Sequence, residues 1–513
     1  MKNNSKPGRL ATLLLACLSV AMLAPASAAS SFDREAWLRD YEFLKTRLER
    51  TYANLAWFAS PSSGVNLPEL DARTLRMLAA AHSDDDAKAA VLTFVAGFHD
   101  GHLQPVWALQ PASKPVVAAP RAELDKLSAI DGCAALGYAP ARSVAFSLPF
   151  ESLPGSSMLS DGVTRVFRAS IATSPGGAKI GVVRIPRFRP QDAPPTSCVQ
   201  AWQALQSANK HIDVEALRDR IADAWFETLA AQLREFRRQS VAAVLVDVGG
   251  NTGGNDSGDW TARLFTTRDV HSARLLMAAA PGANGYFDEQ LTLLRDTLKA
   301  HPAATAATRS ALNEAIAAFE RRKSGVATRN CDLSWAWRQQ RAWEPSGCSR
   351  LIEAGFASGQ ADYLPSGSLG DKQVASSIYW AAALDPLRGA WSGATYILTD
   401  DKTASSAEMF SAVMQDNGVA KVIGIPTEGD GCGFMLDEDP VELPHSHLRL
   451  RVPNCVRLRA DGTNEVAGVK PDLPVQPTQG EDARARAWRV LTIIDAEIHR
   501  VSLDRPPTAE SKR

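Results

Sequence analysis

Val241–Val248 is an almost unbroken apolar run, and it follows directly on a long amphipathic segment, Asp213–Arg238. A strand in a one-sided sheet alternates apolar and polar residues. A strand apolar on both faces has to be covered on both, which is the environment of a parallel strand inside an α/β layer structure. The run ends in Asp247-Val248-Gly249-Gly250-Asn251-Thr252-Gly253-Gly254-Asn255, where glycines let backbone N–H groups approach a ligand closely. The same rhythm recurs downstream. Ala394–Thr399 reads as a strand, Ser405–Asp416 as a helix, and Val419–Ile425 as another strand. Ile180–Ile185 and Leu448–Val452 add two more, so the expected fold class is α/β.

Around this core the chain divides by composition. Residues 1–28 have the form of a signal peptide: Lys2, Lys6 and Arg9, then apolar Ala11–Ala24, then Ala26-Ser27-Ala28 as a small-x-small cleavage pattern. Residues 29–105 are expected to be an N-terminal helical domain, since Trp37, Tyr41, Leu44, Leu48 and Tyr52 recur at spacings of three and four. Residues 106–175, rich in proline and alanine, remain an unassigned connecting region. Residues 176–500 hold the α/β domain, with a helix near Asp288–Arg322, and 501–513 form a polar tail. No later stretch is long and apolar enough to anchor the exported chain in a membrane. Lys and Arg total 56 against 57 Asp and Glu, a balance that gives no case for a nucleic acid or anionic membrane partner. With Cys17 in the leader, six cysteines remain in the exported chain. An even count in an oxidising compartment favours disulfides, and proximity suggests Cys331–Cys348 and Cys432–Cys455, leaving Cys133–Cys198. The expected location is periplasmic or extracellular.

Three groups of residues offer chemistry. Ser405, in Thr403-Ala404-Ser405-Ser406-Ala407-Glu408, stands between a strand and a helix, where amides and the helix dipole stabilise negative charge. Taken alone, Ser405 and Glu408 also read as a capping box. The Gly249–Gly254 turn reads as an oxyanion hole or as an ordinary glycine-rich turn; no GK[ST] or GxGxxG spacing supports a phosphate loop. His445-Ser446-His447 sets two imidazoles on one face of a strand, but no third ligand adjoins them, so it reads as a solvated strand and no metal is expected.

In order along the chain, DxxxNxGGN, TASSAE, Asp416-Asn417-Gly418, Gly424-Ile425-Pro426-Thr427-Glu428-Gly429, Glu442-Leu443-Pro444 and Gly468-Val469-Lys470-Pro471-Asp472 form a combination more specific than its parts. It resembles the tail-specific (C-terminal processing) serine peptidases of family S41 over roughly residues 176–480. The resemblance implies a ClpP/crotonase-like α/β core with the N-terminal helical domain and a long insertion at about 270–375. It implies Ser405 as nucleophile, with an oxyanion hole from Ser406 N–H and Gly253 or Gly254 N–H. Many members carry a lysine base in T-F-G-K-G; here that stretch is Thr427-Glu428-Gly429-Asp430-Gly431, with Asp430 in the lysine's place. A carboxylate of ordinary acidity is a poor base for a serine hydroxyl. The tricorn-like branch instead takes a histidine from an N-terminal helical segment, which points to His102 in Asp100-Gly101-His102, with His99 a rival. That branch also uses an acidic residue before the G-V-x-P-D motif, the place of Glu465, which would orient the histidine directly or through a second hydroxyl. The function implied is an exported serine peptidase acting on peptide or protein substrates, without cofactor. The alternative is a catalytically silent binding protein for peptides or small apolar ligands. The insertion is expected to be a lid or recognition element, or a subdomain pinned by Cys331–Cys348, with Trp335, Trp337 and Trp343 as its own small core. Oligomeric state is not encoded in any of these features.

Overall fold

The computed structural model of the chain describes residues 32–106, 124–138, 144–209, 211–436 and 438–503. The expected signal peptide, most of the polar tail and part of the connecting region lie outside the described residues. In chain order the strands are β1 Gln104–Pro105, β2 Ser157–Asp161, β3 Arg168–Thr173, β4 Lys179–Arg184, β5 Ala243–Asp247, β6 Arg274–Ala278, β7 Leu351–Phe356, β8 Ala394–Thr399, β9 Lys421–Gly424, β10 Val441–Glu442, β11 Arg449–Arg451, β12 Cys455–Leu458 and β13 Leu473–Pro474.

The central sheet has seven strands in the order β13-β9-β8-β5-β4-β3-β2. It is parallel from β13 to β4 and antiparallel from β4 to β2. β5 lies in the middle with all five residues buried. Its side chains alternate between the two faces. Val244 and Val246 join a core with Trp202, Leu217, Trp225 and Phe410, from helices Pro195–Asn209, Val214–Arg238 and Ser406–Asp416. Ala243 and Leu245 face Val490, Leu491 and Ile494 of helix Ala483–Leu503. The apolar run of the sequence is therefore explained by a helix layer on each side. Helix Val214–Arg238 lies tight on β4: a Cβ on Gly181 would come 2.7 Å from the Phe236 ring. β2 and β3, in the region that sequence left unassigned, extend this sheet.

The N-terminal layer consists of helices Arg34–Thr51, Leu67–Ala80 and Asp84–Ala96, each begun by a side-chain cap from Asp33, Asn66 or Ser83. Trp37, Tyr41, Leu44, Leu48, Phe94 and Phe98 are buried together with Val441, Leu443, Leu450 and Val466. This layer thus shares one core with the C-terminal part of the α/β region. β1 adds to it by pairing with β11, Gln104 opposite Arg451.

The insertion departs from expectation in three ways. Its tryptophans do not form a private core: Trp335 and Trp337 are buried in the N-terminal cluster, Trp337 Nε1 donates to Glu49 Oε1 at 2.7 Å, and Trp343 packs edge-on to Trp57. The helix near 288–322 is two helices, Pro281–Ala300 and Ala306–Val326, broken at Pro302, which cannot continue a helix. Strands β6 and β7 pair through β6 with β12 from the far end of the chain. All three cysteine pairs are joined: Cys133–Cys198, Cys331–Cys348 and Cys432–Cys455. Among the described residues no helix is long and apolar enough to cross a membrane.

Candidate active site

Ser405 occupies the turn between β8 and helix Ser406–Asp416 with φ +55° and ψ −119°. An N-cap serine ordinarily sits in extended backbone. Holding a non-glycine residue here costs of order 1–3 kcal/mol, so capping alone does not account for the geometry. The turn is held from both sides. Ser405 N–H donates to Glu408 Oε2 at 2.9 Å, the carboxylate half of the capping box. Ala404 N–H donates to Asn251 O at 3.0 Å, and Thr403 Oγ1 donates to Val248 O at 3.2 Å.

The glycine turn lies directly against this segment. A Cβ on Gly253 would come 2.6 Å from Ser405 Cβ and 2.8 Å from Ser406 N. Gly253 N–H is taken by Asn251 Oδ1 at 2.8 Å. Phe188 N–H donates to Gly253 O at 2.9 Å and Asn255 N–H to Phe188 O at 2.8 Å, which leaves Gly254 N–H outside that ladder. Ser406 N–H belongs to the first helical turn and has no intrahelical acceptor. The Ser406 hydroxyl donates to Asn255 O. Beneath the turn, Asp247 is buried and accepts from Ser147 N–H at 2.7 Å and Arg184 Nη1 at 3.0 Å. Burial pushes its carboxyl up, against these partners.

His102 is half-buried just before β1. Its Nδ1 lies 3.0 Å from the backbone O of Asp430. A carbonyl only accepts, so Nδ1 carries a hydrogen, and in the neutral ring the basic nitrogen is then Nε2. Phe434 meets the imidazole edge-on, and a Cβ on Gly433 would strike the ring at 2.6 Å. The Asp430 side chain accepts Gly101 N–H at 2.8 Å. Asp100 accepts His102 N–H at 2.9 Å and, through its other oxygen, Tyr52 Oη at 2.7 Å and Asn54 Nδ2 at 3.1 Å. Burial pushes the Asp100 carboxyl up, and the nearby His102 opposes that.

Not every candidate joins this group. Glu465 is buried in a two-point pair with Arg457, at 2.8 Å to Nε and 2.8 Å to Nη2, and shares no hydrogen bond with His102. It reaches the same loop indirectly, because Arg457 Nη2 donates to Gly431 O at 3.0 Å. His99 is exposed, with φ +55°. His445 and His447 sit in a turn between β10 and β11 rather than on a strand; His447 has φ +54°, and Asp40 accepts the N–H groups of His445 and Ser446 at 2.9 and 2.8 Å. Ser405 Oγ and the His102 ring share no hydrogen bond. Asp100, His102 and Asp430 bring one ligand atom each within 4.8 Å of one another. Their carboxylates are already committed to Tyr52, Asn54 and Gly101, an arrangement that orients a histidine.

Sequence reading missed two features of the site. The Asp430 carbonyl as partner of His102 has no sequence signal, since every residue has a carbonyl. Glu408 did have one, the S-x-x-E spacing, but that spacing points only to a cap. The carboxylate in fact accepts from Thr427 Oγ1 at 2.6 Å and from the N–H groups of Gly429 at 2.7 Å, Asp430 at 2.9 Å and Gly431 at 3.1 Å as well as Ser405.

In comparisons with known proteins, the family model described as peptidase family S41 matches residues 179–475, more than half of the chain. Among solved structures, that of mature CPAF is similar over 91% of this chain and 98% of its own, with TM-score 0.53 and 15% identity. That of mature CPAF complexed with lactacystin is similar over 91% and 99%, with TM-score 0.52 and 15% identity. At such identity the likeness is one of fold. Among curated proteins, none matches in sequence.

Proposed function

Since this chain belongs to peptidase family S41, we propose that it is an exported serine peptidase that cleaves peptide bonds through an acyl-enzyme on Ser405, with His102 as general base. The observation that carries this reading is the partner of His102 Nδ1: the Asp430 carbonyl accepts its N–H at 3.0 Å, so that in the neutral ring Nε2 is the basic nitrogen. Ser405 Oγ attacks the scissile carbonyl carbon while its proton passes to Nε2. The resulting oxyanion lies over Ser406 N–H and Gly254 N–H. Gly253, whose own N–H is used by Asn251, serves as the wall that lets the turn come close. Collapse expels the amine with the proton from Nε2, and water then repeats the sequence to release the acid. The apo hydroxyl and imidazole close to hydrogen-bond distance on substrate binding, as catalytic pairs commonly do. Glu465 acts at a distance in this reading, through Arg457 and Gly431 O. Three disulfides fit an oxidising compartment.

A serine-directed fluorophosphonate tests it. The wild type should be labelled at one site, Ser405→Ala should abolish labelling, and His102→Ala should slow it. A folded wild type that takes no label and cleaves no peptide or ester between about pH 5 and 8, where histidine changes charge, would favour the binding-protein reading.

A further inference from the structure

Glu408 is fully buried, yet its two oxygens accept five donors from two separate segments of chain. Oε2 takes Ser405 N–H, Asp430 N–H and Gly431 N–H; Oε1 takes Thr427 Oγ1 and Gly429 N–H. One segment carries the strained turn of Ser405. The other carries Asp430, whose carbonyl holds His102 Nδ1–H and whose side chain holds Gly101 N–H. A cap needs one acceptor for one or two first-turn amides. Only one of these five donors belongs to the helix that Glu408 sits on, so capping leaves four unexplained.

We infer that Glu408 is the positioning residue that sets the distance between nucleophile and base, by clamping the Ser405 turn and the Thr427–Gly431 loop onto one carboxylate. The inference rests on the reading of Ser405 and His102 given above and adds to it a group that touches neither substrate nor reacting atoms. Four fixed N–H donors and a hydroxyl converge on two oxygens, and only a carboxylate offers acceptors at both positions. Glutamine places an NH2 at one of them. Since Oε2 faces three N–H groups, the amide nitrogen takes the Oε1 side. The Thr427 hydroxyl hydrogen can turn away so that Oγ1 accepts from it, but Gly429 N–H then faces a donor. The loop moves away at that point, and the carbonyl under His102 moves with it. Thr427 is locked in turn: its Oγ1 also accepts Val469 N–H at 2.7 Å.

The test is the rate at which fluorophosphonate modifies the intact chain at Ser405 at about pH 8, where Glu408, which burial raises to about 7, is a carboxylate, with thermal unfolding as the control for folding. Glu408→Gln should stay folded and lose about 10²-fold in labelling rate, the cost of a misplacement of order 1 Å. In peptide hydrolysis the same loss should fall on kcat with KM little changed. Glu408→Asp, which keeps the charge but shortens the reach, should not restore the rate. If Glu408→Gln fails to fold, Thr427→Val should show a smaller loss of the same kind and Thr427→Ser should restore it. A folded Glu408→Gln labelled at the wild-type rate overturns the inference, as does a Thr427→Val labelled at the wild-type rate where Glu408→Gln does not fold. A wild type that takes no label at Ser405 overturns instead the reading on which it rests.

Discussion

The two halves of the candidate site are held in different ways. Ser405 and the glycine turn follow β8 and β5, adjacent parallel strands of the central sheet, and are joined to each other by the backbone bond Ala404 N–H to Asn251 O. His102 comes from the N-terminal layer; besides the local bond to Asp100 it is held by single contacts from elsewhere: the Asp430 carbonyl, the Phe434 ring and the short β1–β11 pairing. A sheet ladder is redundant, so losing one contact leaves the others. A group held by a few long-range side-chain bonds has no such reserve. The nucleophile half should therefore tolerate distant damage, and the base half should not.

The largest effect expected is from Ser405→Ala, which should lower peptide or ester turnover by on the order of 10⁴-fold or more. Its stability should change by no more than about 1 kcal/mol, the value of a cap. Chemical denaturation checks the second part; a large loss of stability would make Ser405 a structural residue. Next comes His102→Ala, with a loss of about 10²–10⁴-fold, the range of general acid–base catalysis. Asp430→Ala should cost much less, because the carbonyl that holds Nδ1 remains. It loses only the bond to Gly101 N–H, worth about 1–2 kcal/mol, or about 5- to 30-fold in rate. Steady-state kinetics on the pair decides which group is the base.

A third change separates the halves by stability. Cys432 lies two residues after Asp430, and Gly433 sits against the His102 ring. Replacing both Cys432 and Cys455 by serine should cost up to about 3 kcal/mol by the loop-entropy argument. Hydrogen exchange should rise in the 427–436 loop and leave β5 and β8 protected. Uniform loosening of both regions would contradict the difference drawn between them. The smallest effect is a pH slope. Burial pushes Glu408 from 4.5 up to about 7, against its donors and with Asp430 and Glu465 nearby. The folded state then binds the proton more tightly than the unfolded state, so this group's contribution to stability is full below pH 4.5 and is lost as pH rises through about 7. The part of the slope in that window should be reduced in Glu408→Gln. A slope of the opposite sign would mean that the five donors outweigh burial.

The sequence was most legible where chemistry is local. The apolar run of β5, the helix after Ser405, the glycine turn and the pairing of nearby cysteines are all periodicity or proximity. It was least legible where partners meet across hundreds of residues. Glu465 was expected to orient the histidine, directly or through a second hydroxyl, and its carboxylate is paired with Arg457, a residue that nothing in the sequence marks as its partner. Trp335 and Trp337 read as a local aromatic cluster, but a tryptophan needs a large apolar surface and the N-terminal helices offer one. β2 and β3 were missed because proline and alanine around them hide the strand period. Family resemblance supplied His102; the residues by themselves gave only a histidine in a turn.

Whether His102 serves Ser405 is tested most directly by the pH dependence of fluorophosphonate labelling at Ser405 in wild type and His102→Ala. The wild-type rate should rise between about pH 5 and 8, the interval in which histidine loses its proton, and this limb should vanish in His102→Ala. A limb that persists without His102, or one that disappears only in Asp430→Ala, would contradict a base delivered from the N-terminal layer.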